Sequence, residues 1–237
     1  MKSVTADDEE QINNVVSMLV DPKYYNSEKE IPEIDIKHLR EASIIQTQQK
    51  ILDSLTLDKH LIQTIQALDD AHTSLNLISE RLCTWHAHTT GEPRVVVNKL
   101  LTKKSLKPPI SNLKETYLQI QDLINLLSKH IDEEAPKIFP AMVELLDSQL
   151  TVRLVSCAGS LAKLARLPSS TIQLLGAEKA LFRHMADGSP PPKHGILYQH
   201  PSVKSSQRKD KGKVTRSLAS KVAIAAKIDY YRENDGQ

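Results

Sequence analysis

From Ile36 to His88 the chain runs without a glycine or a proline. Such a stretch has no built-in place to turn, and its leucine, alanine and glutamine content favours helix over strand. Within it Leu61, Ile65, Leu68, Ala71, Leu75, Ile78, Leu82 and Trp85 recur at steps of four and three, with one irregularity between Leu68 and Ala71. A mean step of about 3.5 residues is that of a coiled-coil seam on a long helix. "TTGEP" over 89–93 places glycine and proline where such a helix should stop. A second seam begins near Ser111, with Leu113, Tyr117, Ile120, Ile124, Leu127 and Ile131 at the same spacing. Two heptad helices joined by a short tip pack most simply as an antiparallel hairpin. The plainer alternative is two ordinary core helices of a compact bundle.

The rest of the chain reads as helical too. Aromatics make up only 4% and glycines number seven, which speaks against a sandwich or barrel. Residues 6–20 predict a short amphipathic helix, with Thr5 and Asp8 as a capping box and Ile12, Val15, Val16 and Leu19 on one face. Residues 21–35 look like a connector. Pro136 and Pro140 end or kink the second hairpin helix. Beyond them the small residues Ala158, Gly159 and Ser160 would let helices approach closely. "LPSST" (167–171) is a helix stop and a fresh start, and "GAEKALFRHM" opens another helix at Gly176. Residues 209–231 read as a basic amphipathic helix with Val214, Leu218, Val222, Ala225 and Ile228 inward. The expected organisation is all-α: an acidic segment over 1–35, a hairpin over 36–140 and a small basic helical domain over 141–237.

The net charge of +2 conceals an asymmetry. Residues 1–50 hold ten acids against six Lys or Arg, whereas residues 193–232 hold ten Lys or Arg against Asp210 and Asp229 alone. A basic end on a near-neutral chain suits an anionic partner, although a solvated lysine face would look the same. Two distant cysteines, Cys83 and Cys157, give no disulfide framework. The acidic opening lacks the apolar stretch of a secretory signal, and no apolar run approaches the roughly 20 residues of a membrane span, so a soluble intracellular protein is expected.

Enzyme chemistry finds little support. "CTWHAH" (83–88) has no second ligand pair for zinc, and a helix end with exposed histidines is the simpler reading. Gly212-Lys213 lacks the rest of a P-loop. There is no GxSxG, no Cys–His pairing and no recognisable carboxylate pair. No cofactor and no metal are expected.

Three stretches remain: "LPSSTIQLLGAEK", "PPPKHGILYQHP" over 190–201, and the basic helix. Each has a physical use in RNA binding. Ser169, Ser170 and Thr171 fall at a helix start, whose free amides can meet a phosphate. The prolines pre-set an extended backbone that loses little entropy on binding. That backbone would present His194, Tyr198, Gln199 and His200, planar or polar groups that stack on splayed bases or read their edges. Lys213, Arg216, Lys221 and Lys227 would meet phosphate oxygens. Taken singly, each has an ordinary structural reading; their succession carries the argument.

These blocks, with "LIQTIQALDDAHTSLNLISERLCTWHAH" (61–88), "IDEEAPKIFPAMVELL" (131–146) and "GKVTRSLASKVAIAAKIDYY" (212–231), resemble the Nop-domain family, nearest the archaeal form of its box C/D branch. The resemblance covers roughly residues 36–231. It implies a coiled-coil hairpin followed by a Nop module that recognises a box C/D-type kink-turn RNA already bound by a small kink-turn-binding ribosomal-type protein. Carried over residue by residue, it implies RNA-facing roles for Arg166, Ser169, Ser170, Lys193, His194, Gln199, His200, Lys213, Arg216, Lys221 and Lys227. Lys227 stands where an arginine is expected, which keeps the charge and loses the bidentate fork. Residues 176–179 would mainly pack and cap their helix. The first 35 residues do not resemble the family's fibrillarin-docking domain, which puts fibrillarin and a direct part in 2′-O-methylation in doubt. The tip is short for the family, so coiled-coil self-association stays open. A coiled-coil adaptor, or a competitor of the full box C/D scaffold, are the other readings. The implied setting is cytoplasmic in an archaeon and nucleolar or nuclear in a eukaryote.

Overall fold

The computed structural model describes residues 12, 13, 15, 16, 36–93, 95–103 and 106–235. All described regular structure is helical, as expected. The chain divides into two compact units, residues 1–56 and 57–237. In the first, helix α1 (Ile36–Asp53) buries, among its described side chains, only Ala42, which clusters with Ile12 and Val15. Leu19 and the Thr5–Asp8 cap lie outside the described residues. The unbroken helix expected from Ile36 onward ends at Asp53. Ser54 supplies the reason: its amide is shared between the Lys50 and Ile51 carbonyls, and its hydroxyl donates to Ile51 O at 2.7 Å. Local bonds of this kind compete with the helical ladder.

The second unit opens with the hairpin. Helix α2 (Leu57–Thr90) pairs with α4 (Ile110–Ile138), and the short α3 (Val97–Thr102) lies in the tip between them. The seam is the expected one near the base, where Leu61, Ile65, Leu68 and Ala71 are buried with Ile124 and Ile131. At the far end Leu82 and Cys83 form a separate small cluster with Leu100 and Ile110. There the seam shifts: Trp85 is 37% exposed and His86 turns inward at 2%. The chain leaves α2 at Gly91, whose φ of +70° suits a residue without a Cβ.

Pro136 is accommodated inside α4, and the true break comes at Phe139, a fully buried anchor. Pro140 then opens α5 (Pro140–Leu145), where its missing N–H costs nothing. Asp147 caps α6 (Ser148–Ala158), accepting from Leu150 N at 2.7 Å. Gly159, at φ +90°, ends α6, and Ser160 caps α7 (Leu161–Arg166). The small residues at 158–160 are thus a helix junction and not a close-packing face. Helices α8 (Ser169–Leu174) and α9 (Glu178–Asp187) follow, then a 3-10 turn (Ile196–Gln199), α10 (Pro201–Lys204) and the long α11 (Lys211–Asp235). The expected helix at Gly176 starts at Glu178; Gly176 has φ +81° and donates its N–H to Glu178 Oε1 at 2.7 Å.

Helix α11 packs along α5, α7 and α8, with Leu218, Val222 and Ala225 in the core and Val214 half-buried. Ile228, expected inward, is 54% exposed, and the next residue, Asp229, is fully buried instead. Its carboxylate accepts from Ala141 N at 2.9 Å and Met142 N at 3.0 Å, so it caps α5 from 88 and 87 residues away. Asp58, in the first turn of α2, does the same for α7, accepting from Leu161 N at 2.8 Å. Asp69 of α2 is paired with Arg153 of α6. The base of the hairpin and the helices after it are therefore joined through helix termini as well as through apolar contact.

Candidate nucleic-acid interface

The proline-rich stretch is fixed by a residue outside it. Gln173, buried on α8, donates through Nε2 to Lys193 O at 2.7 Å and reaches Gly212 O at 3.5 Å. Two backbone bonds close the other side: Gly195 N donates to Gln173 O at 2.8 Å, and Ile196 N to Leu175 O at 2.7 Å. The approach is so tight that a Cβ on Gly195 would lie 1.9 Å from Leu175 O, and only glycine fits. Leu197, fully buried, pins the 3-10 turn from below. In this way α8, the turn and the start of α11 meet at one place.

On the outer side of that junction His194 stacks on Tyr198, with ring centroids 4.6 Å apart and 25° between planes. Lys211 Nζ donates to Tyr198 Oη at 3.1 Å and lies 4.5 Å from the ring centroid. This hydrogen bond, aided by the lysine's charge, holds the phenol below its usual range. Tyr198 is 38% exposed, so it belongs to the surface and not to the core. The result is a small platform of two planar groups with a cation over the tyrosine ring, which brings planar surface and positive charge together. His200 is partly committed to the fold: its Nδ1 accepts from Ser202 N at 3.3 Å and caps α10.

The anticipated residues are not one tight cluster. Lys193 and Gln199 are exposed beside the platform, and His194 and His200 are half-buried. Lys213 follows directly on Gly212, which packs against Lys193. Arg216, Lys221 and Lys227 are all exposed with Lys213 on the outer side of α11. At 1.5 Å per residue Lys227 lies about 20 Å beyond Lys213. Arg166 ends α7 exposed, and Ser169 (half-buried) and Ser170 (exposed) open α8 behind Pro168, which offers no side-chain cap. Gln173 and Lys211, which hold the platform together, were not singled out from the sequence. An amide between the apolar Ile172 and Leu174 was the available signal for Gln173.

Among the described residues no group of three or more His, Cys, Asp or Glu could hold a metal ion. Both cysteines are free, and no described helix is long and apolar enough to cross a membrane. Of the histidines of "CTWHAH", His88 is exposed as expected, whereas His86 is buried.

Comparison with known proteins places this geometry in a family. Residues 5–237 match the family model described as "Nop: snoRNA binding domain, fibrillarin". An uncharacterised NOP5 family protein of Methanocaldococcus jannaschii is 36% identical over 220 aligned positions, covering 73% of this chain and 52% of that protein. Nucleolar protein 56 of Caenorhabditis elegans is 38% identical over 127 positions, covering 52% of this chain and 26% of that one. Nucleolar protein 58 of Botryotinia fuckeliana is 30% identical over 216 positions, covering 73% and 38% respectively. The chain thus spans about half, or less, of the length of these relatives. A solved structure titled as a fibrillarin/Nop5p complex superposes with a TM-score of 0.56 at 24% identity, over 98% of this chain and 86% of that one, which shows a shared fold. The family is one of non-catalytic scaffolds, in keeping with the absence of enzyme motifs in the sequence. The chain belongs to the Nop domain family, whose box C/D ribonucleoprotein scaffolds are its homologues.

Proposed function

We propose that this chain is a non-enzymatic ribonucleoprotein component that binds a box C/D-type kink-turn RNA together with the small protein already seated on it. Residues 141–237 are the binding module, and the hairpin before them is an arm. The observation that carries this reading is the junction held by Gln173, where the His194–Tyr198 platform, Lys193 and the start of α11 lie side by side. Gln199 and His200 follow Tyr198 in the chain, Arg166, Ser169 and Ser170 lie where α7 gives way to α8, and Lys213, Arg216, Lys221 and Lys227 are exposed along α11. Exposed cations give salt-sensitive attraction to phosphate without sequence preference. The planar groups and the composite RNA–protein surface supply the selectivity.

The test is a titration on a box C/D-type kink-turn RNA, with and without its small kink-turn-binding protein. Tight binding is expected only to the RNA–protein complex. Arg216→Ala should weaken that binding and lower the salt slope by about one. Equal affinity for the complex and for a plain duplex would refute the reading.

A further inference from the structure

The far end of the hairpin carries a second basic site, separate from the module. Between Pro93 and Lys114 the sequence holds Arg94, Lys99, Lys103, Lys104, Lys107 and Lys114 and no acid, with Glu92 directly before Pro93. The structure forms a cleft of about 360 Å³ there, between the end of α2 and the start of α4. Its lining includes the partly exposed indole of Trp85 from α2, and Pro108 and Pro109 just before α4. Lys103 and Lys107 supply its charge. Lys107 has no ion-pair partner among the described residues, so its ammonium is available to an anion.

Lys103 is held in place from two sides. Its Nζ donates to Glu92 Oε2 at 3.0 Å and to His86 Nε2 at 3.2 Å. The imidazole's Nδ1 is buried, lacks a hydrogen-bond partner among the described residues and stands 3.9 Å from Glu92 Oε2. A buried histidine under a surface lysine marks a constructed site, unlike a lysine free in solvent. Its volume falls in the range of small-ligand clefts, about 300–1,000 Å³, and is far too small for a duplex. An indole beside the unpaired ammonium of Lys107, with Lys103 shared between Glu92 and His86, matches one anion above all: a nucleotide with its base unstacked.

We propose that the hairpin tip is a second nucleic-acid contact, in which Trp85 stacks one base of a single strand while Lys107 holds the adjoining phosphate. An acidic peptide would satisfy the lysines and leave the indole without a planar partner. The proposal does not depend on the module's function, because along α2 Trp85 lies about 25 Å from Asp69, where the arm meets α6.

Trp85 is the chain's single tryptophan, so its fluorescence reports on this cleft alone. The experiment titrates the whole chain with an eight-residue oligouridylate at low salt and follows that emission. Saturable quenching is expected. Lys107→Ala, at an exposed side chain, should weaken it about fivefold and reduce the salt slope by about 0.7, the single-strand value for one phosphate. Arg216→Ala should leave the quenching unchanged, which separates this site from the module. Three results would each overturn the proposal: no change in emission while the oligonucleotide binds by anisotropy, an unaltered curve in Lys107→Ala, or equal quenching by polyglutamate or by a blunt duplex.

Discussion

The burial of Asp229 can be tested by removing it. Both carboxylate oxygens accept from backbone amides at the start of α5, at 2.9 and 3.0 Å, and the side chain is shut off from solvent. Asp229→Ala strands those two donors. A hydrogen bond to a charged acceptor contributes about 1.5–3 kcal/mol. Two would give up to about 6 kcal/mol, but the substitution also removes a buried charge, whose desolvation offsets part of the gain. We therefore expect a net loss of about 3 kcal/mol. With a urea m-value of about 2 kcal/mol/M, the midpoint followed by circular dichroism at 222 nm should fall by about 1.5 M. Asp229→Asn keeps one acceptor and turns an NH₂ towards the other amide, so it should lose roughly half as much. A midpoint for Asp229→Ala within about 0.5 M of the wild type, at unchanged m, would refute the claim that this side chain caps α5.

Two further outcomes follow from the same structure. Burial lifts the Asp229 carboxyl above its ordinary value of 3.8, while the Ala141 and Met142 amides and Arg232 act in the opposite direction. The folded chain then binds this proton more tightly than the unfolded one, so the group's contribution is fullest below pH 3.8 and declines as pH rises through the folded value. The stability gap between wild type and Asp229→Asn should narrow with rising pH from that point; a widening gap would mean that the two amides outweigh burial. Gly195→Ala places a Cβ 1.9 Å from Leu175 O and must push the turn outward. It should abolish binding to the kink-turn RNA–protein complex while helical content stays within a few per cent of wild type, and full binding would show the turn to be a bystander.

The hairpin was legible because its signal repeats: each of Leu61, Ile65, Leu68, Ile124 and Ile131 restates the same spacing, and all are buried. The reading failed where one residue answers to a distant partner. Periodicity sent Ile228 inward, yet Asp229 takes the interior because a helix terminus 87 residues earlier needs an acceptor. At the tip the heptad pointed to Trp85, but the chain's reversal through α3 brings Lys103 and Glu92 to His86. Gly159 looked like a packing residue and is a left-handed helix stop, a distinction carried by φ alone. The cations of the last helix were legible as a class, since lysine and arginine rarely go inside. What organises the platform, the buried Gln173, left only a faint trace, because a single amide in a short helix has many ordinary uses.

Asp58 fastens the beginning of α2 to α7, and α2 then continues without interruption to Thr90. From Asp58 to Trp85 that is about 40 Å of continuous helix, set by the number of residues between them. An arm anchored at its root and regular along its length behaves as a ruler. A partner that touches both the module and the tip must bridge a set interval, so it is selected by span as well as by chemistry. Inserting one heptad in both α2 and α4 would keep the seam in phase and lengthen the interval by about 10 Å.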